Sequence, residues 1–239
     1  MVMNWNDWKP IYDTIVDRLN LEPIQDEKAT ELLTKILQPI HPEPLLQFLQ
    51  RKITNRPVVV CGAGPSLNRH IQSIKDENRN KNVTFIAADG AVSVLLENDC
   101  NCSIIATDLD SNARYIIEAV ERGALAIVHG HGDNIPRIRE IVPGLGEVLG
   151  STQVRPTERA FLWGGFTDGD RACHIAAEYG PSELILAGMD FGNIVGKWSK
   201  PNHSDHFQAS TRKRIKLQIA EELISNLLQH TKISYTILK

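Results

Sequence analysis

Sulfur ligands are scarce in this chain. Its four cysteines, Cys61, Cys100, Cys102 and Cys173, form no CxxC pair, so neither a thiolate metal site nor a disulfide framework is indicated. They lie in apolar settings and read as reduced core thiols. No apolar stretch approaches the roughly 18 residues needed to span a bilayer. The opening "MVMNWNDWKPIYD" puts Trp5, Asp7 and Trp8 where a secretory signal needs a basic segment and an apolar run. A basic excess is missing as well: the formal net charge is −3, which argues against a dedicated nucleic-acid binder. There is no internal repeat and no low-complexity tract. The expectation is a soluble cytoplasmic protein with no nucleic-acid or membrane partner, for which a homo-oligomer stays open.

What is present suits a folded enzyme-sized domain. The chain has 239 residues, 42% hydrophobic and 23% charged, enough for a sizeable core. Residues 1 to about 54 read as helices only. Trp5, Trp8, Ile11, Tyr12, Ile15 and Leu19 recur at three- and four-residue spacing, one helical face. Asp26 can start a second helix that Pro39 stops, and "PEPLLQFLQRKI" can form a third. With "TNRP" as hinge, a helical N-terminal unit (1–54) would precede an α/β catalytic domain (55–239).

From Pro57 the pattern changes. "PVVVC", "VTFIAA", "SIIAT", "ALAIVH" and "ELILAG" are short apolar runs of strand length. They alternate with helix candidates at 66–76, 91–98, 111–121 and 168–179. Strands apolar on both faces, alternating with helices, predict an α/β fold: a mostly parallel, Rossmann-like sheet flanked by helices. "STRKRIKLQIAEELISNLLQH" reads as a long final helix with its cations in the first turns, and "ISYTIL" as an edge strand.

Ligands of such sheets gather beyond the carboxyl ends of the strands. The residues found there are Gly62, Ala63 and Gly64, then Asp89, then Asp108 with Asp110, then "HGHGDN", then Asp190. In "CGAGPSLNRH", glycines and a helix start at Pro65 or Ser66 would direct free N–H groups at an anion, although Leu67 breaks the dinucleotide fingerprint. An ordinary tight turn would also need these glycines. Asp110 read as a helix N-cap accounts for one aspartate; three at successive strand ends point instead to a hard cation shared with phosphate. Asp89, Asp108 and Asp110 are therefore the expected magnesium ligands. His129 and His131 lack a third nitrogen or sulfur partner for zinc. Asp133 and Asn134 are read as polar contacts to substrate or metal-bound water. In "GGFTDGDRA", Thr167 or Asp168 can cap a helix and Arg171 can reach phosphate. The polar stretch after "GMDFG" has the length of a lid, and of its lysines and those that follow, Lys213 is the one carried forward as a phosphate contact.

Taken in order, "GAGPSL", "AADGA", "ATDLDS", "HGHGDN", "GFTDGDRA" and "GMDFG" resemble the archaeal 6-hydroxymethyl-7,8-dihydropterin pyrophosphokinases across nearly all of residues 57–217. "ADGA" with "TDLDS" is also similar to the "ADGG" and "GDFDS" of thiamin pyrophosphokinases, with Ala91 and Thr107 as small departures. The resemblance implies a thiamin-pyrophosphokinase-like core in which Asp89, Asp108 and Asp110 hold magnesium and the moving diphosphate. It implies ATP and a reduced pterin as substrates, AMP as product, and tetrahydromethanopterin biosynthesis as the setting. Asp133 and His131 are the candidate proton acceptors. Two other readings stay open. "GxGPSL" and "GMDFG" also occur in proteins resembling sugar transferases that modify surface proteins, where a DxD pair holds a nucleotide-sugar diphosphate through a metal; a non-catalytic nucleotide sensor is the third.

Overall fold

The computed structural model describes residues 3–77, 80–201 and 203–239. The valine run of "PVVVC" forms β1 (Pro57–Cys61), and its side chains alternate between two cores: Val59 and Cys61 on one face of the sheet, Val58 and Val60 on the other. β-branched residues stiff at χ1 suit such a strand, apolar on both faces. The same alternation builds β2 (Thr84–Ala88), β3 (Cys102–Thr107), β4 (Leu125–Gly130) and β7 (Glu183–Ala187). Four strands escaped the sequence reading. β5 (Val148–Thr152) and the two-residue β6 (Ala160–Phe161) extend one side of the sheet, while the isolated hairpin of β8 (Ile194–Val195) and β9 (Phe207–Gln208) lies within the long polar stretch. β10 (Ser234–Ile237) is the expected edge strand.

The sheet has eight strands in the order β10-β7-β1-β2-β3-β4-β5-β6, each pair parallel. The progression away from β1 reverses between β1 and β7, so the crevice beyond their carboxyl ends is where a ligand is expected. On one face lie α4 (Leu67–Asp76), α5 (Ala91–Glu97), α6 (Ala113–Glu121) and α7 (Ile135–Ile141), the last unforeseen. On the other face lie α8 (Asp168–Glu178) and the apolar stripe of α9 (Thr211–His230), which includes Ile224 and Leu228.

The three N-terminal helices are α1 (Trp5–Leu19), α2 (Pro23–Ile36) and α3 (Pro42–Ile53). Prolines at N1, whose missing N–H is an orphan in any helix, start α2 and α3. Asp26 therefore lies in the first turn of α2 rather than at its cap. In α1, Trp8, Tyr12, Ile15 and Leu19 are buried, but Ile11 from the same expected stripe is 39% exposed. Ala29, Leu33 and Leu37 join the core on the α4 face, and Leu45, Leu49 and Ile53 join the core on the α8 face. Trp8 and Tyr12 pack with Leu162, Phe166 and Ile219. The expected boundary at 54/55 marks a change of secondary-structure pattern, while side-chain packing runs across it.

Candidate active site

A cavity of about 560 Å³ opens at the carboxyl edge of the sheet. Its wall takes in the loops after β1, β2, β3, β4 and β7, the start of α8, the first turns of α9 and the turn between α1 and α2. Carboxylates outnumber lysines and arginines in that wall.

Three carboxylates converge within it. One oxygen each from Asp89, Asp108 and Asp168 lies within 4.8 Å of the others. The sequence expectation placed Asp110 in this set. Instead Asp110 lines the same cavity and pairs with Lys200, and Asp168, expected to cap α8 and contact phosphate, supplies the third acid. Local backbone explains the exchange. Leu109 sits at φ 66°, a left-handed conformation rare for a bulky side chain, held by its N–H donating to Thr107 Oγ1 at 2.8 Å. This turn drives Leu109 into the core, fully buried, and leaves Asp110 N–H donating to Asp108 Oδ1 at 3.1 Å. Asp89 is left-handed too, at φ 44°. Its N–H donates to Ala106 O at 2.8 Å, and its Oδ1 accepts from Thr107 Oγ1 at 2.5 Å.

The electrostatics are those of crowded acids. Burial, then the charge of Asp108, raises Asp89 from 3.8 to about 7. Burial and the charges of Asp108 and Asp89 push Asp168 well above its ordinary value. Burial also opposes ionisation of Asp108, but a hydrogen bond and charge from His131, with Lys200 and Lys216 beyond, outweigh it and hold that carboxyl at about 2. His131 Nε2 stands 3.5 Å from Asp108 Oδ2. Oxygen donors this close, two of them strained toward their protonated forms, fit a small hard divalent cation. Among the described residues this is the one group of three or more acids, histidines or cysteines placed to hold a metal. The two histidines make no zinc site: His129 is buried between Ser151 and Gln153, and its ring stacks on His131 with centroids 5.9 Å apart.

Other expected contacts are distributed unevenly. Gly62 and Gly64 line the cavity, yet their first service is close packing: a Cβ at Gly62 would meet Gly188 O at 2.6 Å, and one at Gly64 would collide with the Asp190 carboxylate. Pro65 and Ser66 do not reach the cavity wall. The N-terminus of α4, expected to receive a phosphate, already holds a carboxylate: Ser66 N–H and Oγ donate to Asp190 Oδ2 at 2.9 and 2.8 Å. Asn134 is buried, and its amide is spent on the loop itself, donating to Asp108 O at 2.8 Å and His129 O at 2.7 Å and accepting from His131 N–H at 3.0 Å. Both of its N–H donors are used, and it is not part of the cavity wall. Asp133 does face the cavity and is exposed.

Thr167 caps α8 reciprocally with Asp170, as expected of this loop. Arg171, expected to reach phosphate, is not part of the cavity wall. It is 1% exposed and donates to Gly165 O and Phe166 O at 3.1 and 3.0 Å, and its charge draws Asp168 back toward ionisation from beneath.

Lys213 lines the cavity with Lys216, Arg212 and Lys200. The first turn of α9 carries no acid, although "TRKRIK" stacks cations against the positive end of the helix dipole, the wrong end for them. Burial and the charge of Lys216 lower Lys213 below the usual lysine range. A bound anion would relieve both penalties. The lid-length segment holds the β8–β9 hairpin and packs its backbone on the site, Trp198 O close over Gly90 and Gly196 against Ala63. Two contributors had no sequence signal: Asp26 and Gln153, distant in sequence, line the same cavity.

Comparison with known proteins fits this geometry. Residues 28–196 match the family described as 6-hydroxymethylpterin diphosphokinase MptE-like. The chain is 41% identical over 226 residues to the 6-hydroxymethyl-7,8-dihydropterin pyrophosphokinase of Pyrococcus furiosus, covering 93% of each chain. It is 38% identical to the protein of the same name from Methanothermobacter thermautotrophicus, again over 93% of each. For the one from Methanocaldococcus jannaschii the identity is 35%, over 98% of this chain and 99% of the relative. Among solved structures it is similar to the MAf glycosyltransferase from Magnetospirillum magneticum AMB-1, with TM-score 0.47 and 19% identity over 80% of this chain and 37% of that one. The match across more than half of its length, with relatives aligned nearly end to end, makes this chain a member of the 6-hydroxymethylpterin diphosphokinase MptE-like family.

Proposed function

We propose that this protein transfers the β,γ-diphosphate of ATP to the hydroxymethyl oxygen of 6-hydroxymethyl-7,8-dihydropterin, releases AMP, and does so with magnesium, in tetrahydromethanopterin biosynthesis. The observation that carries the reading is the triad of Asp89, Asp108 and Asp168 facing the cations of α9 across one cavity. Relatives named for this activity support the pterin.

In the reaction the pterin alcohol forms a bond to the β-phosphorus while the bond from that phosphorus to the α-phosphate bridging oxygen breaks, leaving AMP. The triad would hold magnesium, which when bound offsets the negative charge building on the phosphoryl oxygens. Lys213, Lys216 and Lys200 neutralise the phosphate tail, and α9 is stabilised by the anion it receives. Charge placement and alignment do most of the work in such transfers. The alcohol proton leaves to Asp133, whose side chain faces the cavity.

The test mixes the purified protein with ATP, magnesium chloride and the dihydropterin and follows AMP by chromatography. AMP release that depends on the pterin is expected. No pterin dependence, together with hydrolysis of a nucleotide sugar, would replace this reading with a sugar transferase.

A further inference from the structure

A buried carboxylate that the reaction does not use lines the same cavity as the triad. Asp26, on α2, is 6% exposed. Its Oδ1 accepts from Gly132 N–H at 2.8 Å; its Oδ2 accepts from Tyr12 OH at 2.6 Å and Gln153 Nε2 at 2.7 Å. All three donors are neutral, an unusual setting for an interior acid.

The pattern dictates hydrogen positions. A carboxylate only accepts, so the Gln153 amide must turn its NH₂ to Asp26 and its Oε1 to His129. That oxygen lies 3.3 Å from His129 Nε2. His129 must then carry its hydrogen on Nε2, leaving Nδ1 to accept from Ser151 Oγ at 3.2 Å. Burial, then the charge of Arg171, keeps the ring neutral. The stacked His131 is fixed the same way. Its Nδ1 accepts from Asp133 N–H at 3.3 Å, so its Nε2–H points at Asp108 Oδ2, 3.5 Å away.

We propose that Asp26 is a positioning residue for this centre: with one oxygen it pins the backbone after His131, and with the other it sets, through Gln153, the tautomer of the ring on which His131 stacks, so that His131 keeps the Asp108 carboxylate aimed into the triad. The proposal rests on the triad being the reactive centre. It assigns to the N-terminal helices a direct part in aligning that centre.

The test is the substitution Asp26→Asn. With the amide oxygen kept on Gly132 N–H, the NH₂ of the variant faces Gln153, which then turns its Oε1 toward it, and His129 converts to the Nδ1–H tautomer. Long-range ¹⁵N–¹H spectra of histidine-labelled protein should show Nε2–H for both His129 and His131 in the unaltered protein, and conversion of His129 in the variant. Mn²⁺ binding without nucleotide should weaken about tenfold, and kcat should fall about tenfold with both KM values within about twofold, the range seen when partners behind metal ligands are changed. Gln153→Met, which keeps volume and removes both amide groups, should weaken Mn²⁺ binding in the same way and serves if Asp26→Asn does not fold. Unchanged Mn²⁺ affinity with the Nε2–H tautomer retained in Asp26→Asn overturns the proposal. If the unaltered protein makes no pterin-dependent AMP, the functional reading falls, while the tautomer and Mn²⁺ measurements still decide the role of Asp26.

Discussion

At the scale of residues, the site is an arrangement of acids that differ in role because their surroundings differ. Asp108 is held ionised by His131, whereas Asp89 and Asp168 are driven toward protonation by burial and by one another. Asp108→Asn and Asp168→Asn should each lower turnover by about 100-fold or more, in line with the loss of one pre-placed charged group, with melting temperature little changed. Asp110→Asn should lose far less, because its carboxylate answers Lys200; rate assays on the three variants rank them. A pH dependence follows from Asp89. Its folded value, about 7, lies above the ordinary 3.8, so between these limits the folded state binds more protons than the unfolded one, and stability falls as pH rises through the window. Asp108 works the other way, but its stabilisation is lost only as pH falls toward about 2. In EDTA, Asp89→Asn should therefore raise the melting temperature at pH 8 relative to that at pH 5.5, compared with the same difference in the unaltered protein. Added magnesium should raise the melting temperature more at pH 8. Sequence pattern located the acids at strand ends but named Asp110 where the structure groups Asp168 with Asp89 and Asp108, since only the left-handed turn at Leu109 tells how the side chains around it are disposed. Asp26 and Gln153 carried no local signal: their partnership exists only after α2 docks on β5.

At the scale of elements, strands with unbroken apolar runs were legible and those without were not. β1, β2, β3, β4 and β7 are buried on both faces and composed accordingly. β5 reads "VLGST" and β6 only "AF", so half of β5 is polar and β6 is too short for a period to show. The hydroxyls of β5 face an interior partner instead: Thr152 Oγ1 lies 2.7 Å from Thr30 Oγ1 on α2. The N-terminal helices were legible as helices, but their docking was not, because periodicity reveals an apolar stripe and not its partner. Leu33 tests that docking. It is fully buried in the sheet core, and Leu33→Ala should destabilise the whole protein by about 2–5 kcal/mol. Denaturant titrations followed by far-UV circular dichroism and tryptophan fluorescence should shift together. Two separate transitions, with the sheet unaffected, would show the helices to be an independent unit.

At the scale of the whole molecule, no core belongs to one segment alone. The N-terminal helices close both faces of the sheet and one wall of the cavity. A fragment of residues 55–239 should accordingly expose the surfaces that Leu33, Leu37, Leu49 and Ile53 cover, bind a hydrophobic dye strongly and aggregate, whereas the full chain should not. Light scattering at matched concentrations distinguishes them. Among the described residues no helix is long and apolar enough to cross a membrane.

The left-handed Leu109 has one more consequence. Because its side chain is wedged among core neighbours while its backbone carries Asp108 directly before it, the apolar interior acts as a caliper on the distance from that carboxylate to Asp89 and Asp168. Trimming the wedge, as in Leu109→Ala, would let the jaws drift, so catalytic output should register the change at temperatures where the fold itself still holds. A position that looks like ordinary filling thereby becomes a gauge of the spacing that the chemistry needs.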